Sequence, residues 1–169
     1  MTRLDTVLAA LGRIMIWLAG LCLVLMMLQV IADVAGRLFL SRPLPSTIEI
    51  VAEWWMPALI FLPMVTVALR GENIAVDIVY DRLPPRAQAV SDIFAGLAFA
   101  VFLAFISWGA WEQALRAYAK GEFILGMIPV VIWPVRFLLP IAGAITAVVY
   151  VLSALRAAAR LAGGDLRHG

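Results

Sequence analysis

Among its 169 residues the chain has one cysteine and one histidine. Cys22 lies in an apolar run, so no internal disulfide can form, and a small core residue is its plain reading. His168 is next to the last residue. A bis-histidine haem inside a helix bundle is therefore excluded, and a histidine-based zinc site is disfavoured. Charge is also scarce. Asp, Glu, Lys and Arg make up 14% of the chain, against roughly a quarter in a soluble domain. Four stretches hold no ionisable group of the acid–base kind: Ile16 to Leu28, Ala58 to Ala68, Ala98 to Ser107 and Pro140 to Val151. No nucleophile–histidine–aspartate set and no glycine-rich phosphate loop can be assembled. A membrane-bound redox or lipid enzyme is disfavoured on this inventory, and no cofactor is expected. An ion-coupling site normally places an acid near the bilayer centre. Its absence here argues against a self-sufficient proton antiporter.

Apolar residues fill the space instead. They are 64% of the chain, and the mean hydropathy is +1.01. A globule in water could not hide that surface, so the composition indicates a membrane protein. A hydrocarbon core of about 30 Å needs roughly 20 apolar residues per helix. The length then accommodates about four or five spans and no separate soluble domain. The net charge is +2, but the thirteen Lys and Arg are scattered. Nucleic acid is not an expected partner; the lipid bilayer is.

The pass along the chain predicts a single all-α membrane domain, 1–169, with four spans at about 14–34, 48–69, 93–111 and 134–155. Leu4, Val7, Leu8 and Leu11 form a stripe, which predicts a short amphipathic surface helix continuous with span one. The run from Ile14 to Ala32 is too long for a signal-peptide core, so it reads as a retained span. Ser46 or Thr47 is expected to N-cap span two, and Pro57, Pro63 and Pro140 predict kinks. Residues 70–92 form a polar loop with a short surface helix inside it, ended by Pro84-Pro85. Gly96, Ala100 and Ala104 recur every four residues, a small-residue stripe that lets another helix approach closely. Phe123 to Trp133 is too short to span and holds Gly126 and Pro129, which predicts an interfacial or broken segment.

Four spans put both termini on one side. Arg3, Arg13, Arg70, Arg82, Arg86, Arg156, Arg160 and Arg167 lie on that side. Arg37, Arg42, Arg116, Lys120 and Arg136 lie on the other. The larger basic set marks the cytoplasm, so the termini and the 70–92 loop are expected inside. Five charges then share one depth near the outer boundary: Asp33, Arg37, Glu49, Glu53 and Arg136. Glu49 and Glu53, four apart, share a helical face. Three readings stand: charges that snorkel to water, interhelical ion pairs, and contact with a partner. Two further hypotheses concern the whole chain. One is an accessory subunit. The other is an independent homo-oligomeric transporter, for which Gln29, Thr66 and Ser107 are the candidate polar path.

The ordered elements Asp33-Val34-x-x-Arg37, Pro43-Leu44, Glu49, Arg70-Gly71-x-Asn73-Ile74-x-Val76-Asp77 and Leu83-Pro84 resemble the small membrane subunit (DctQ-type) of tripartite ATP-independent periplasmic (TRAP) transporters. Ile128-Pro129, Trp133-Pro134 and Pro140-Ile141-Ala142-Gly143 resemble the C-terminal pattern of that family. Histidine often stands in the family where this chain has Asn73. The resemblance implies a bacterial inner-membrane location and two partners, a large TRAP membrane subunit and a periplasmic substrate-binding protein. It implies that the large subunit carries the substrate and sodium sites for uptake of an organic acid. The small subunit would brace it and help dock the binding protein. Arg70, Asn73 and Asp77 would belong to a cytoplasmic loop motif.

Overall fold

The computed structural model describes residues 3–70 and 84–162. Four helices are long and apolar enough to cross a membrane. They are α1 (Arg3–Leu40), α2 (Thr47–Arg70), α3 (Pro85–Lys120) and α4 (Leu138–Ala162). The multi-pass helical class expected from composition is what the chain adopts.

The helices outrun the expected spans. The surface segment before residue 14 and span one are a single helix of 38 residues. Of Val7, Leu8 and Leu11, only Leu8 is buried. Residues 85–92, read as loop, are the first turns of α3. Pro84 is its N-cap and Pro85 occupies the first helical position, where a missing N–H loses no hydrogen bond. The pair therefore begins a helix. The surface helix expected before it lies outside the described residues, as do Asn73, Asp77 and the Gly163-Gly164 tail. At its other end α3 continues past Trp111, because Glu112 to Lys120 are good helix formers and charge alone does not stop a helix. Gly121 stops it, with φ 59° and its N–H on the Ala117 and Tyr118 carbonyls. Glu122 N–H also returns to Ala117 O at 2.9 Å, completing a Schellman cap.

α1 packs on α2, α2 on α4, and α4 on α3. The four helices thus form an open row with the two longest at its ends. At 1.5 Å per residue α1 is about 57 Å long and α3 about 54 Å, well beyond a hydrocarbon core of about 30 Å. They must tilt or protrude. A row is reasonable in lipid, where no hydrophobic drive closes a bundle and small residues decide which helices meet.

Two of the three seams involve the outer helices α1 and α3. Along α1 the residues turned inward are Leu8, Gly12, Met15, Ala19, Cys22, Met26, Gln29 and Asp33. Along α3 they are Gly96, Ala100, Leu103, Ser107, Ala110, Ala114 and Ala117. Both series alternate steps of four and three, the 3.5-residue period of supercoiled helix pairs. The expected stripe therefore departs at its third member. Gly96 and Ala100 are buried, but Ala104 is exposed and Leu103 takes its place. Steps of four drift about 40° each around a helix of 3.6 residues per turn. At Gly96 an added Cβ would sit 3.3 Å from Ala154 Cβ and 3.4 Å from Tyr150 O, so α3 and α4 approach closely there.

The three prolines expected to kink helices occupy different settings, and Pro63 lies inside α2. Pro140 lies in the first turn of α4, where it displaces no necessary donor. Pro57 follows a π-helical turn, Val51–Trp55. That wider turn occurs just where proline removes an α-type donor. The segment 123–133, expected as interfacial or broken, is a short hairpin. Phe123–Ile124 pairs antiparallel with Val130–Val131, Phe123 opposite Val131. A 3-10 turn, Val135–Phe137, leads into α4.

Candidate functional site at the hairpin end

The polar chemistry of the described residues gathers where the hairpin meets the α1–α2 turn. Asp33 is buried in the last turns of α1. Its Oδ2 receives Arg37 Nε at 2.9 Å, and its Oδ1 receives the Leu44 N–H at 2.8 Å. One carboxylate thus ties the loop back to the helix it leaves. Gly36 makes room for this return, since a Cβ there would meet Arg42 O at 2.8 Å. Ser41 and Ser46, at the two ends of the loop, both have positive φ. Such strain of about 1–2 kcal/mol persists only where surrounding bonds hold it.

Ser46 occupies the N-cap of α2, as its position suggested, but its hydroxyl makes no cap bond. It donates to Ile128 O and accepts from Ile128 N, both at 2.9 Å. The hairpin loop is thereby fixed to the start of α2. Trp54 Nε1 adds a bond to Val131 O at 2.8 Å, and Trp55 Nε1 reaches Gln29 Oε1 at 2.6 Å. Gly126 allows the close fit. A methyl at that position would stand 2.7 Å from Glu49 Oε1 and 2.8 Å from Ser46 Oγ.

The five rim charges separate into different settings. Asp33 and Arg37 pair with each other, one turn apart on α1. Arg136 pairs with Glu122, at 2.8 Å, across the base of the hairpin. Glu122 was missed in the sequence because it lies 14 residues away, in a segment with no helical period. Glu49 faces the hairpin loop. Glu53 lines a cavity of about 130 Å³ with Pro57, Phe61, Gln113 and Arg136, among others. Neither glutamate enters an ion pair among the described residues. Arg70 is far from this group, exposed at the last residue of α2.

The candidate polar path does not assemble. Gln29 serves Trp55 on the α1–α2 seam. Thr66 Oγ1 donates to Gly12 O at 2.7 Å, on the same seam near the terminal end. Ser107 presses against Gly143 on the α3–α4 seam, its hydroxyl without a hydrogen-bond partner among the described residues. Two of these groups tie helices together and the third sits in a packing contact, so they do not line a common channel.

A family model described as "Tripartite ATP-independent periplasmic transporters, DctQ component" matches residues 26–160. The chain belongs to the DctQ family. It is a small membrane subunit of a TRAP transporter. The match includes every residue of the hairpin end described above, from Gln29 to Arg136, and the loop that carries Asn73 and Asp77. Comparison with curated proteins and with solved structures finds no match. Within this DctQ subunit, two of the resembling elements have a structural meaning. Asp33-x-x-x-Arg37 and Pro43-Leu44 are the two sides of one tie, joined by the Leu44 N–H. The Ile128-Pro129 element is the part of the hairpin that Ser46 holds.

Proposed function

We propose that this subunit braces the large TRAP membrane subunit in the bacterial inner membrane. We also propose that its hairpin end faces the periplasm and helps dock the substrate-binding protein. Sodium-coupled uptake of an organic acid would then be performed by the large subunit. The observation that carries this reading is a contrast. Helix middles have no Asp, Glu, Lys, Arg or His, while at one end hydrogen bonds stitch α1, α2 and the hairpin together. Such a chain supports transport better than it performs it. The distribution of basic residues favours the terminal end as cytoplasmic, with the motif residues Arg70, Asn73 and Asp77 on that side.

The rim charges suit a docking role in different degrees. Asp33 is engaged within the loop. Arg37 and Arg136 are exposed beyond their ion pairs, and Glu49 and Glu53 keep unpaired carboxylates among the described residues. An open row also leaves long apolar faces that a large membrane partner can cover.

Co-expression with the large membrane subunit tests the rim. Arg136→Glu should reduce co-purification of the complex, or of the binding protein with it, more than Arg160→Glu near the end of α4. Glu122→Gln, which leaves Arg136 in place, should have the smallest effect. Equal losses from the two charge reversals would remove the rim from the interface.

A further inference from the structure

A second cleft opens between the last turns of α3 and the 3-10 turn. It encloses about 350 Å³ and is lined by Gln113, Arg116, Ala117, Lys120, Glu122 and Arg136. Three cations face one acid. That acid, Glu122, already receives Arg136. Arg116 approaches Glu112 only to 3.9 Å, with both side chains more than half exposed, an arrangement that contributes little. Lys120 has no ion pair and the Gln113 amide no hydrogen bond among the described residues. Glu53 adjoins from the neighbouring cavity, which shares Gln113 and Arg136. Arg116 and Lys120 do complement the C-terminal dipole of α3. That does not account for Arg136, which arrives from another element and points its charge at the same space.

The depth of the cleft narrows what fills it. The uncharged stretch of α3 runs from Ile93 to Trp111, about 29 Å at 1.5 Å per residue, close to the thickness of a hydrocarbon core. Gln113 to Lys120 then climbs about 10 Å from the edge of that core, through the headgroup layer. Two aromatic pairs mark the same level: Trp111 with Phe137, and Tyr118 with Trp133. Trp and Tyr favour headgroup depth. Guanidinium and ammonium donors converging there match a phosphate oxyanion.

We propose that this cleft binds the phosphate of an anionic phospholipid headgroup. The site rests on α3 crossing the membrane, whichever side the hairpin end faces, and does not rest on the docking role. The test is native mass spectrometry of the full-length chain released from vesicles of mixed phosphatidylglycerol and phosphatidylcholine. The protein should retain phosphatidylglycerol in preference to phosphatidylcholine. Arg116→Gln and Lys120→Gln should each lower that retention about fivefold, the factor for one basic residue at a charged membrane surface. Arg42→Gln, at the same end and outside the cleft, should leave it unchanged. Inorganic phosphate added in excess distinguishes the source of the oxyanion. A headgroup held also by its acyl chains should resist displacement. Ready displacement would assign the cleft to a soluble oxyanion and overturn the lipid assignment. Equal retention of the two lipids, or no effect of either cleft variant, would overturn the site itself.

Discussion

Removing the Asp33 carboxylate takes away two bonds at once, and they differ in weight. The Leu44 N–H would lose a charged acceptor, a net loss of about 1.5–3 kcal/mol. The pair with Arg37 contributes no more than about 1 kcal/mol, because the arginine is 54% exposed. Asp33→Ala should therefore lower the melting temperature of the purified protein clearly. Arg37→Gln should lower it little, and Asp33→Asn should keep most of the stability by preserving an acceptor oxygen. Equal shifts for Asp33→Ala and Arg37→Gln would show that the Leu44 bond contributes nothing. The sequence made Asp33 visible as a rim charge next to Arg37. Its bond to a backbone 11 residues on depends on a turn that no local pattern specifies. Ser107 and Gly143 form another residue-scale contact that only the fold reveals. Gly143→Ala would push a methyl into the Ser107 hydroxyl, an overpacking loss of about 1–3 kcal/mol. Ser107→Ala should be neutral or stabilising, since that hydroxyl has no partner among the described residues. The double variant should recover most of the loss. A thermal-unfolding cycle over the four proteins checks this, and an undiminished loss in the Ser107→Ala background would exclude the contact as its cause.

At the scale of elements, what was legible depended on length. Four apolar runs announced four helices, because a run of about 20 residues satisfies its own backbone groups in lipid as a helix. Their ends were less legible. Residues 85–92 read as loop and span three as ending at 111, yet the helix includes 85–92 and runs on to Lys120. The true boundaries are Pro85 and Gly121, two residues whose backbone chemistry decides the matter. The 3.5-residue seams were hidden by near-uniform hydrophobicity. A helix that is apolar all round gives no amphipathic signal, so only the small residues hinted at a packing face. The hairpin was hidden for a different reason: its strands are two residues each, below any detectable alternation. Such short strands are not stable alone. Ser46 and Trp54 should therefore hold them. In hydrogen exchange, Ser46→Ala should deprotect the Ile128 amide, which has the Ser46 hydroxyl as its acceptor, while α3 stays unchanged. If Ile128 exchange is unaltered, the hairpin is held by something other than that bond.

At the scale of the whole molecule, the open row and the stitched end have one consequence. The row presents apolar faces along its whole length, and the seams occupy only narrow strips of α1 and α3. The middles of the spans hold no Asp, Glu, Lys, Arg or His. The DctQ family match supplies the transporter context, and the arrangement suits the proposed division of labour, in which the large subunit carries the transport site. Composition alone placed the chain in a membrane. The scarcity of charge became informative once its few members were located at the two ends and one end proved to be tied together by hydrogen bonds. The most direct measurement is uptake of a labelled organic acid into proteoliposomes free of sodium inside, with sodium present or absent outside. These would contain this chain, the large subunit, or both, with the binding protein added outside. The account predicts sodium-dependent uptake only when both membrane chains are present. Uptake by this chain alone, or undiminished uptake by the large subunit without it, would contradict the account.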